Sequence, residues 1–231
     1  MNNSDTQVQQ VTPAPSRFSL PAVSIVLITC VCGWFMMQLE ILGVRILVPY
    51  FGSAVYVVTG SVIGVFLLSL SIGYMLGGWL CSKMNTWILL GTVMILVGIW
   101  KCAIPLIKGP ICDPISDSGI DEKWGALIAS LILFGTPTIL LGTVSPATVH
   151  WLTARTGNSG FSAGLVLATS TMASFTGCIV TAFYLVLFSL RRTLFTSGII
   201  LAILGAVVLV LITVSMRKQQ YSPCDSIGGQ Q

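Results

Sequence analysis

The chain has 231 residues, of which 8% are charged and 55% are hydrophobic, and its mean hydropathy is +0.93. A soluble domain carries about 25% charged residues, so this composition excludes a soluble globular enzyme and a disordered protein. The net charge of +4 arises from 11 basic and 7 acidic side chains, which are too few for a phosphate-binding stripe. We therefore expect an integral protein of the lipid bilayer, without a nucleic-acid partner.

Six long stretches of the sequence contain no charged residue, and their lengths range from 17 to 37 residues. A helix that crosses the hydrocarbon core needs about 20 apolar residues, so each stretch fits one crossing and none fits two with a turn. The stretches lack the alternation of membrane β-strands and exceed their usual length of about 9–11 residues. The sequence therefore predicts an all-α bundle of six transmembrane helices. The charge-free stretches are 18–39, 46–82, 84–100, 124–154, 156–190 and 193–216.

The chain begins with a polar segment, 1–20, which we expect to be disordered. The apolar run that follows lacks the cleavage site of a signal peptide and is interpreted as a retained helix. A transmembrane domain is predicted over 21–216, with a polar loop at 108–123 and a short polar tail at 217–231. Pro49 is expected to end the first helix, because proline interrupts a helix. The six predicted helices are 21–48, 53–80, 86–107, 124–153, 160–190 and 193–216.

The orientation of the chain in the membrane is predicted from the Lys and Arg residues of the loops on each side. With the N-terminus inside, five Lys and Arg residues fall on the cytoplasmic side and six on the outer side, which gives no positive-inside bias. The acidic loop at 108–123 favours the outer side. We expect a multi-pass protein of the cell (inner) membrane with both termini in the cytoplasm.

Glu40, Arg45 and Gln38 are the candidate substrate- or ion-binding residues, because a charge inside a membrane helix costs about 2.5–3.5 kcal/mol. Glu40 and Arg45 are about 140° apart on a regular helix and are not neighbours, whereas Gln38 and Arg45 share a face. Either the helix is distorted near Gly43, or each charge has its partner on another helix. Two functions remain open for Glu40 and Arg45: a structural ion pair at the membrane interface, or a substrate- or ion-coupling site. Lys101 is expected near the end of the third helix, where it snorkels to the interface.

Small residues recur four apart in the second and fifth helices, as is typical of closely packed membrane helices. We interpret them as contacts within one bundle, with a homodimer face or a substrate groove as alternatives. Pro146 is expected to kink the fourth helix, with Ser145 or Thr143 compensating for the lost hydrogen bond. The hydroxyls at 169–176 either bond back to their own helix or line a polar substrate path. The expected packing glycines are Gly60, Gly64, Gly73, Gly77, Gly164 and Gly177.

Seven cysteines and one histidine are the other reactive side chains. Cys102 and Cys112 lie on the loop side of the third helix and are candidates for a disulfide if that loop faces an oxidising compartment. Cys30 and Cys32 are expected to be small buried hydrophobes, and His150 has no second metal ligand in view. No catalytic or nucleotide-binding motif is present, so we expect neither an enzyme nor a bound cofactor or metal.

Three blocks of the sequence are similar to one family. The block at 40–80 reads EILGVRILVPYFGSAVYVVTGSVIGVFLLSLSIGYMLGGWL, and it resembles the start of the membrane module of spermidine synthase-like transmembrane proteins. These are described as fused major-facilitator/spermidine synthase proteins. The block at 140–152, LLGTVSPATVHWL, is similar to that family's Ser-Pro helix, and the block at 168–177, ATSTMASFTG, to its small-residue fifth helix. The resemblance implies a six-helix, half-major-facilitator-like module whose connection after the second helix is cytoplasmic.

The sequence departs from that family in two places. The connection at 77–83 reads GGWLCSK and lacks the Asp and one Arg of the family's GGRLADR, while His150 stands where the family has a basic residue. We expect no soluble aminopropyltransferase-like domain, of the kind that family members carry, after the last helix. We therefore expect a non-enzymatic membrane module that binds a partner protein or a membrane complex. The alternative is a small transporter of polyamines or other small solutes, acting as a dimer of six-helix halves.

Overall fold

Six helices of the structure are long and apolar enough to cross a bilayer. The computed structural model describes residues 20–52 and 55–220, so the predicted polar tails fall mostly outside the described residues. No strand occurs within these ranges, and the predicted all-α six-helix bundle is confirmed. The candidate membrane spans are Pro21–Phe51, Val55–Cys81, Thr86–Asp117, Glu122–Thr156, Ser159–Leu187 and Leu190–Val214.

Four of the spans are continuous helices, whereas the fourth and fifth are built from shorter segments. The continuous helices are α1 (Leu20–Phe51), α2 (Val55–Leu80), α3 (Thr86–Asp117) and α8 (Leu190–Gln220). The fourth span joins α4 (Glu122–Ser130), a π-helical turn (Leu131–Gly135), α5 (Thr136–Gly142) and α6 (Val144–Thr156). The fifth span joins α7 (Ser159–Phe183) to a 3₁₀ turn (Leu185–Leu187).

Polar side chains cap three of the helices at the connections between spans. Asn85 Oδ1 accepts a hydrogen bond from the Trp87 amide at 3.1 Å at the start of α3, and Asn158 Oδ1 accepts one from the Phe161 amide at 3.0 Å at the start of α7. Asp121 caps α4 in the same way. Such caps satisfy amides that have no partner within the helix, which fixes where each span begins at the membrane surface.

Prolines do not end the helices where the sequence predicts. Pro49 lies inside the last turn of α1, which continues to Phe51, so the predicted end at 48 is wrong. The predicted loop at 108–123 is also largely wrong, because α3 continues to Asp117 through three prolines. Its apolar side chains recur at helical spacing along this segment and pack on the core, and this burial outweighs the hydrogen bonds that proline removes. These side chains are Ile104, Ile107, Ile111 and Ile115.

α1 lies at the centre of the bundle and packs mainly against α7, with further contacts to α2, α3 and α4. One core cluster surrounds its second half and includes Leu42, Phe66 and Phe134. A second cluster surrounds its first half and includes Ile25 and Leu90. The central position of α1 means that its polar side chains meet other helices rather than lipid on most of its faces.

The closest helix pair, α3 and α8, packs through glycines that the sequence analysis did not single out. A methyl group at Gly98 would lie 2.6 Å from Gly198 O, and one at Gly205 would lie 2.8 Å from Gly91 O. Both helices space these glycines seven residues apart, so they face each other in antiparallel register. The sequence signal for this contact is the spacing of seven residues, which differs from the spacing of four that predicts the packing of α2 and α7.

The expected packing glycines divide into two groups. A methyl group at Gly77 would lie 2.6 Å from Pro146 Cγ, and Gly73 lies against Ile139 O of α5. On α7, a methyl group at Gly177 would lie 2.9 Å from Trp34 O of α1. These three glycines allow close approach of helices, as packing in lipid requires.

The other glycines face open space. Among the described residues, a methyl group at Gly60, Gly64 or Gly164 would meet no atom within 4 Å, so the expectation that these glycines pack on another described helix is wrong. The pattern of small residues is the same in both groups. Only the rotation of each helix about its axis decides which of its faces meets a neighbour, and the sequence spacing does not specify that rotation.

The fourth span is interrupted at Thr143, three residues before Pro146. The amide and hydroxyl of Thr143 both donate to Leu140 O, at 3.1 and 2.7 Å. Because α6 restarts at Val144, Pro146 falls in its first turn, where an amide has no helical partner to lose. The structure thus interrupts this span at Thr143, whose hydroxyl bonds the Leu140 carbonyl, and a kink at Pro146 itself stays a prediction.

Candidate functional site

A cleft of about 210 Å³ lies between α2 and α7, with α1 as its floor and α5 and α6 at one end. Both α2 and α7 pack on α1, but they have almost no direct contact with each other. The cleft is therefore open along the side of the bundle. The hydroxyl-bearing residues that line it are Thr29, Tyr74, Ser145, Ser170, Thr171 and Ser174.

Most of these hydroxyls are free to meet a ligand. Ser145, Ser170 and Ser174 make no hydrogen bond with the residues that the structure describes. Thr169 and Thr176, by contrast, donate to Leu165 O and Met172 O of their own helix at 2.7 and 2.8 Å. Some hydroxyls of this segment therefore bond back to α7, as one interpretation predicts, and others line the cleft, where a substrate path stays a prediction.

Thr29 is the exception among the cleft hydroxyls, because it is buried and fully paired. Its Oγ1 donates to Ile25 O at 3.0 Å and lies 2.8 Å from Thr148 Oγ1 of α6. A hydroxyl pair between helices is a stabilising contact in lipid. Thr29 therefore fixes α1 against α6 at the end of the cleft, and the free serines lie further along.

Gly33 brings the serines of α7 to the floor of the cleft. A methyl group at Gly33 would lie 2.8 Å from Ser174 Oγ and 2.9 Å from Ser170 O. Only a glycine lets α1 and α7 approach this closely. Gly33 is missing from the predicted site residues, because it has no second glycine four positions away on α1.

Glu40 lies on the same stripe of α1 as the cleft. Gly33 and Met37 line the cleft, and Glu40 follows at the next helical repeat, seven residues after Gly33 and about 4.5 Å beyond Met37 along the axis. The carboxylate is half-buried and makes no hydrogen bond or ion pair with any described residue. A carboxylate within a membrane-spanning helix and without a partner among the described residues makes Glu40 a candidate functional residue.

Arg45 is not the partner of Glu40. Its Nη1 donates to Val186 O at 2.5 Å and to Phe188 O at 3.2 Å, at the end of the fifth span. Those carbonyls lie at a helix end and lack intrahelical partners. The interpretation in which each charge finds its partner on another helix therefore holds for Arg45, and the interpretation as a pair between the two charges is wrong.

Gln38 faces α3 instead of the cleft, and it meets a buried lysine. Lys101 Nζ donates to Gln38 Oε1 at 2.7 Å and lies 4.6 Å from the centre of the Phe35 ring. Lys101 is completely buried, so the expectation that it snorkels to the interface is wrong. The error follows from the predicted end of the third helix at 107, since α3 continues to Asp117 and places Lys101 at its middle.

The thiols do not form the expected disulfide. Cys102 and Cys112 are both free and both lie on α3, ten residues or about 15 Å apart. Bonded cysteines have Cα atoms about 4.4–6.8 Å apart, so this prediction is wrong. In the part of the chain that the structure describes, no three His, Cys, Asp or Glu side chains come together as metal ligands, and His150 is exposed on α6.

The fold and the site define a class of protein. Six apolar spanning helices, with a lateral cleft that carries hydroxyl groups among apolar side chains, make this chain a multi-pass α-helical membrane protein. Comparisons with known proteins add no narrower assignment: no family model, curated protein or solved structure matches the chain. The cleft, Glu40 and the polar contacts of α1 are therefore the basis for a functional proposal.

Proposed function

We propose that the chain is half of a small transporter for cationic solutes such as polyamines, and that the cleft between α2 and α7 is its half of the solute site. The observation that carries the proposal is the half-buried, unpartnered carboxylate of Glu40 on the same face of α1 as the cleft. The resemblance to the membrane module of spermidine synthase-like proteins supports the same solute class.

The chemistry of the cleft favours a small cation. Its lining offers hydroxyl oxygens and no basic side chain, and the adjacent Glu40 supplies a negative charge. An ammonium ion in such a place replaces its water shell by protein oxygens and compensates the carboxylate. The volume of about 210 Å³ is below the usual range for drug-sized ligands, which favours a slender solute.

The open side of the cleft favours a second subunit. A polar cleft that opens between α2 and α7 exposes free hydroxyls at the depth of the hydrocarbon core, where an unsatisfied polar group is costly. A second copy that presents the same side would close two such clefts into one enclosed path. The transporter is thus a dimer of six-helix halves, in the cell (inner) membrane, with both termini of each copy in the cytoplasm.

A reconstituted uptake assay tests the proposal. Proteoliposomes containing the chain are expected to take up labelled putrescine or spermidine, and Glu40→Gln is expected to reduce the rate to the background of protein-free vesicles. Asp117→Asn, at the end of α3 and away from the cleft, is the matched control and should transport normally. Equal uptake by wild type and Glu40→Gln, or no uptake by wild type, would overturn the proposal.

A second candidate function is a non-enzymatic module that binds a helix of a partner protein or membrane complex in the same cleft. The free hydroxyls of Ser170 and Ser174 favour it, because serines hydrogen-bond between helices in lipid. Photo-crosslinking from position 171 in native membranes separates the two candidates. A crosslink to a second copy supports the transporter dimer, whereas a crosslink to a different protein supports the partner-binding module.

A further inference from the structure

A second groove lies at the start of α2, away from the cleft along the helix axis, and we propose that it binds one zwitterionic phospholipid. The groove has a volume of about 400 Å³ and lies between α2 and α4. It is separate from the solute cleft, so this inference does not depend on the proposed function. Its lining consists of Tyr56, Val57, Gly60, Ser61, Lys123, Trp124 and Leu127.

The mouth of the groove lies at the membrane surface. Tyr56 is in the first turn of α2, while Lys123 and Trp124 are in the first turn of α4. Both helices begin on the same side of the bilayer, because α1 and α3 cross in the same direction before them. Tyr56 is 80% exposed and Trp124 is 62% exposed, and amphipathic rings and lysines at this level meet lipid headgroups.

Part of the groove's floor is glycine backbone, without side chains. Gly60 lines the groove, and Gly64 follows one turn deeper on the same face, about 6 Å further along the axis. A methyl group at either position would meet no atom within 4 Å. The two glycines therefore extend the groove into a furrow along α2 toward the exposed side chain of Leu67, and no helix among the described residues lies within 4 Å of a methyl group at either glycine.

The charges at the mouth select the headgroup. The ammonium group of Lys123 is suited to a phosphate, and the Asp121 carboxylate lies at the same start of α4, because its Oδ1 accepts a hydrogen bond from the Lys123 amide. This carboxylate repels a headgroup whose net charge is negative. In a zwitterionic headgroup the phosphate meets Lys123, while the amine or choline group meets Asp121 and the faces of Tyr56 and Trp124, which attract cations. Phosphatidylethanolamine and phosphatidylcholine fit this pattern, and phosphatidylglycerol does not.

Native mass spectrometry of the full chain released from detergent tests the assignment. Phosphatidylethanolamine, phosphatidylcholine and phosphatidylglycerol are each added at the same concentration, and the bound fraction is measured. We expect one phospholipid per chain, with the zwitterionic lipids bound about fivefold more tightly than phosphatidylglycerol. Lys123→Gln should weaken their binding by about fivefold, the effect of one lysine at a lipid surface.

The variants Gly60→Leu and Gly64→Leu fill the furrow and should abolish the bound lipid. Their matched control is Gly164→Leu on α7, which also faces open space but lies outside the groove and should bind lipid as wild type does. Melting temperatures in detergent confirm that all three variants fold. Unchanged lipid binding in Gly60→Leu, a preference for phosphatidylglycerol, or a second copy of the chain bound in place of lipid would overturn the proposal.

Discussion

The ammonium group of Lys101 lies 2.7 Å from Gln38 Oε1 in the interior of the bundle. Lys101 is completely buried and Gln38 is 2% exposed, so this bond joins α3 to α1 out of reach of water. The ring of Phe35 provides the other favourable contact for the cation. Three polar side chains of the first helix thus have three different surroundings: Gln38 meets α3, Glu40 lies beside the cleft, and Arg45 binds the end of the fifth span.

The variant Gln38→Leu is expected to lower the free energy of unfolding by about 1.5–3 kcal/mol, because it leaves a buried cation without its hydrogen bond. The double variant Gln38→Leu/Lys101→Met removes both polar groups and should recover most of that loss. Unfolding in mixed micelles with increasing SDS measures both values. A double variant as unstable as Gln38→Leu alone would show that the bond is not the stabilising element.

Glycine substitutions separate packed from open faces of the helices. Gly77→Ala is expected to lower the free energy of unfolding by about 1–3 kcal/mol, because the new methyl group meets Pro146 and the backbone of Thr143 at 2.6–2.7 Å. Gly164→Ala faces open space and should be neutral or stabilising by up to about 1 kcal/mol, since alanine favours helix. The same SDS titration compares them, and equal losses would contradict the assigned orientations of α2 and α7.

The composition and the length of the apolar stretches predict the fold class and the number of spanning helices, because the bilayer requires apolar helices of a fixed length. They do not predict helix ends near prolines. The predicted end of the first helix at Pro49 and of the third at 107 are both wrong, since continued burial of Ile104 and Cys112 on α3 outweighs the loss of individual backbone hydrogen bonds. Two further errors follow from the short third helix: the snorkelling of Lys101 and the disulfide between Cys102 and Cys112.

The sequence predicts only part of the candidate site. Glu40 stands out because a charge interrupts an apolar run, and the hydroxyls at 169–176 stand out by density. The position of Glu40 relative to these hydroxyls depends on the close approach of α1 and α7 at Gly33, which belongs to no repeat of glycines in the sequence. It also depends on how α1 is rotated between α2 and α7. That rotation is a property of side-chain packing among several helices, so it appears only in the folded structure.

The free hydroxyls of the cleft should contribute little to stability. Ser170→Ala and Ser174→Ala are expected to change the free energy of unfolding by less than about 0.5 kcal/mol, because neither hydroxyl has a partner among the described residues. Thr148→Val removes the partner of Thr29 and should cost about 1 kcal/mol. If the serine variants are as destabilised as Thr148→Val, the hydroxyls are structural rather than free for a ligand.

Cys102 and Cys112 should remain reduced under oxidising conditions, because about 15 Å of helix separates them. Membranes are incubated with a mild oxidant, unfolded in SDS and alkylated, and the peptide that contains both residues is analysed by mass spectrometry. We expect both thiols to carry the label. A mass two hydrogens lower, without label on either thiol, would show that they are bonded and that α3 does not continue past them.

Arg45 is expected to control the order of the segment that joins the last two spans. Its guanidinium bonds the carbonyls of Val186 and Phe188, so Arg45→Met leaves both without a protein partner. The loss of these contacts at an exposed site corresponds to about 1 kcal/mol and should raise amide hydrogen exchange around Leu187 by about fivefold. Arg192→Met, on the neighbouring helix and also exposed, is the matched control. Equal exchange in the two variants would show that the bonds from Arg45 do not hold the segment in place.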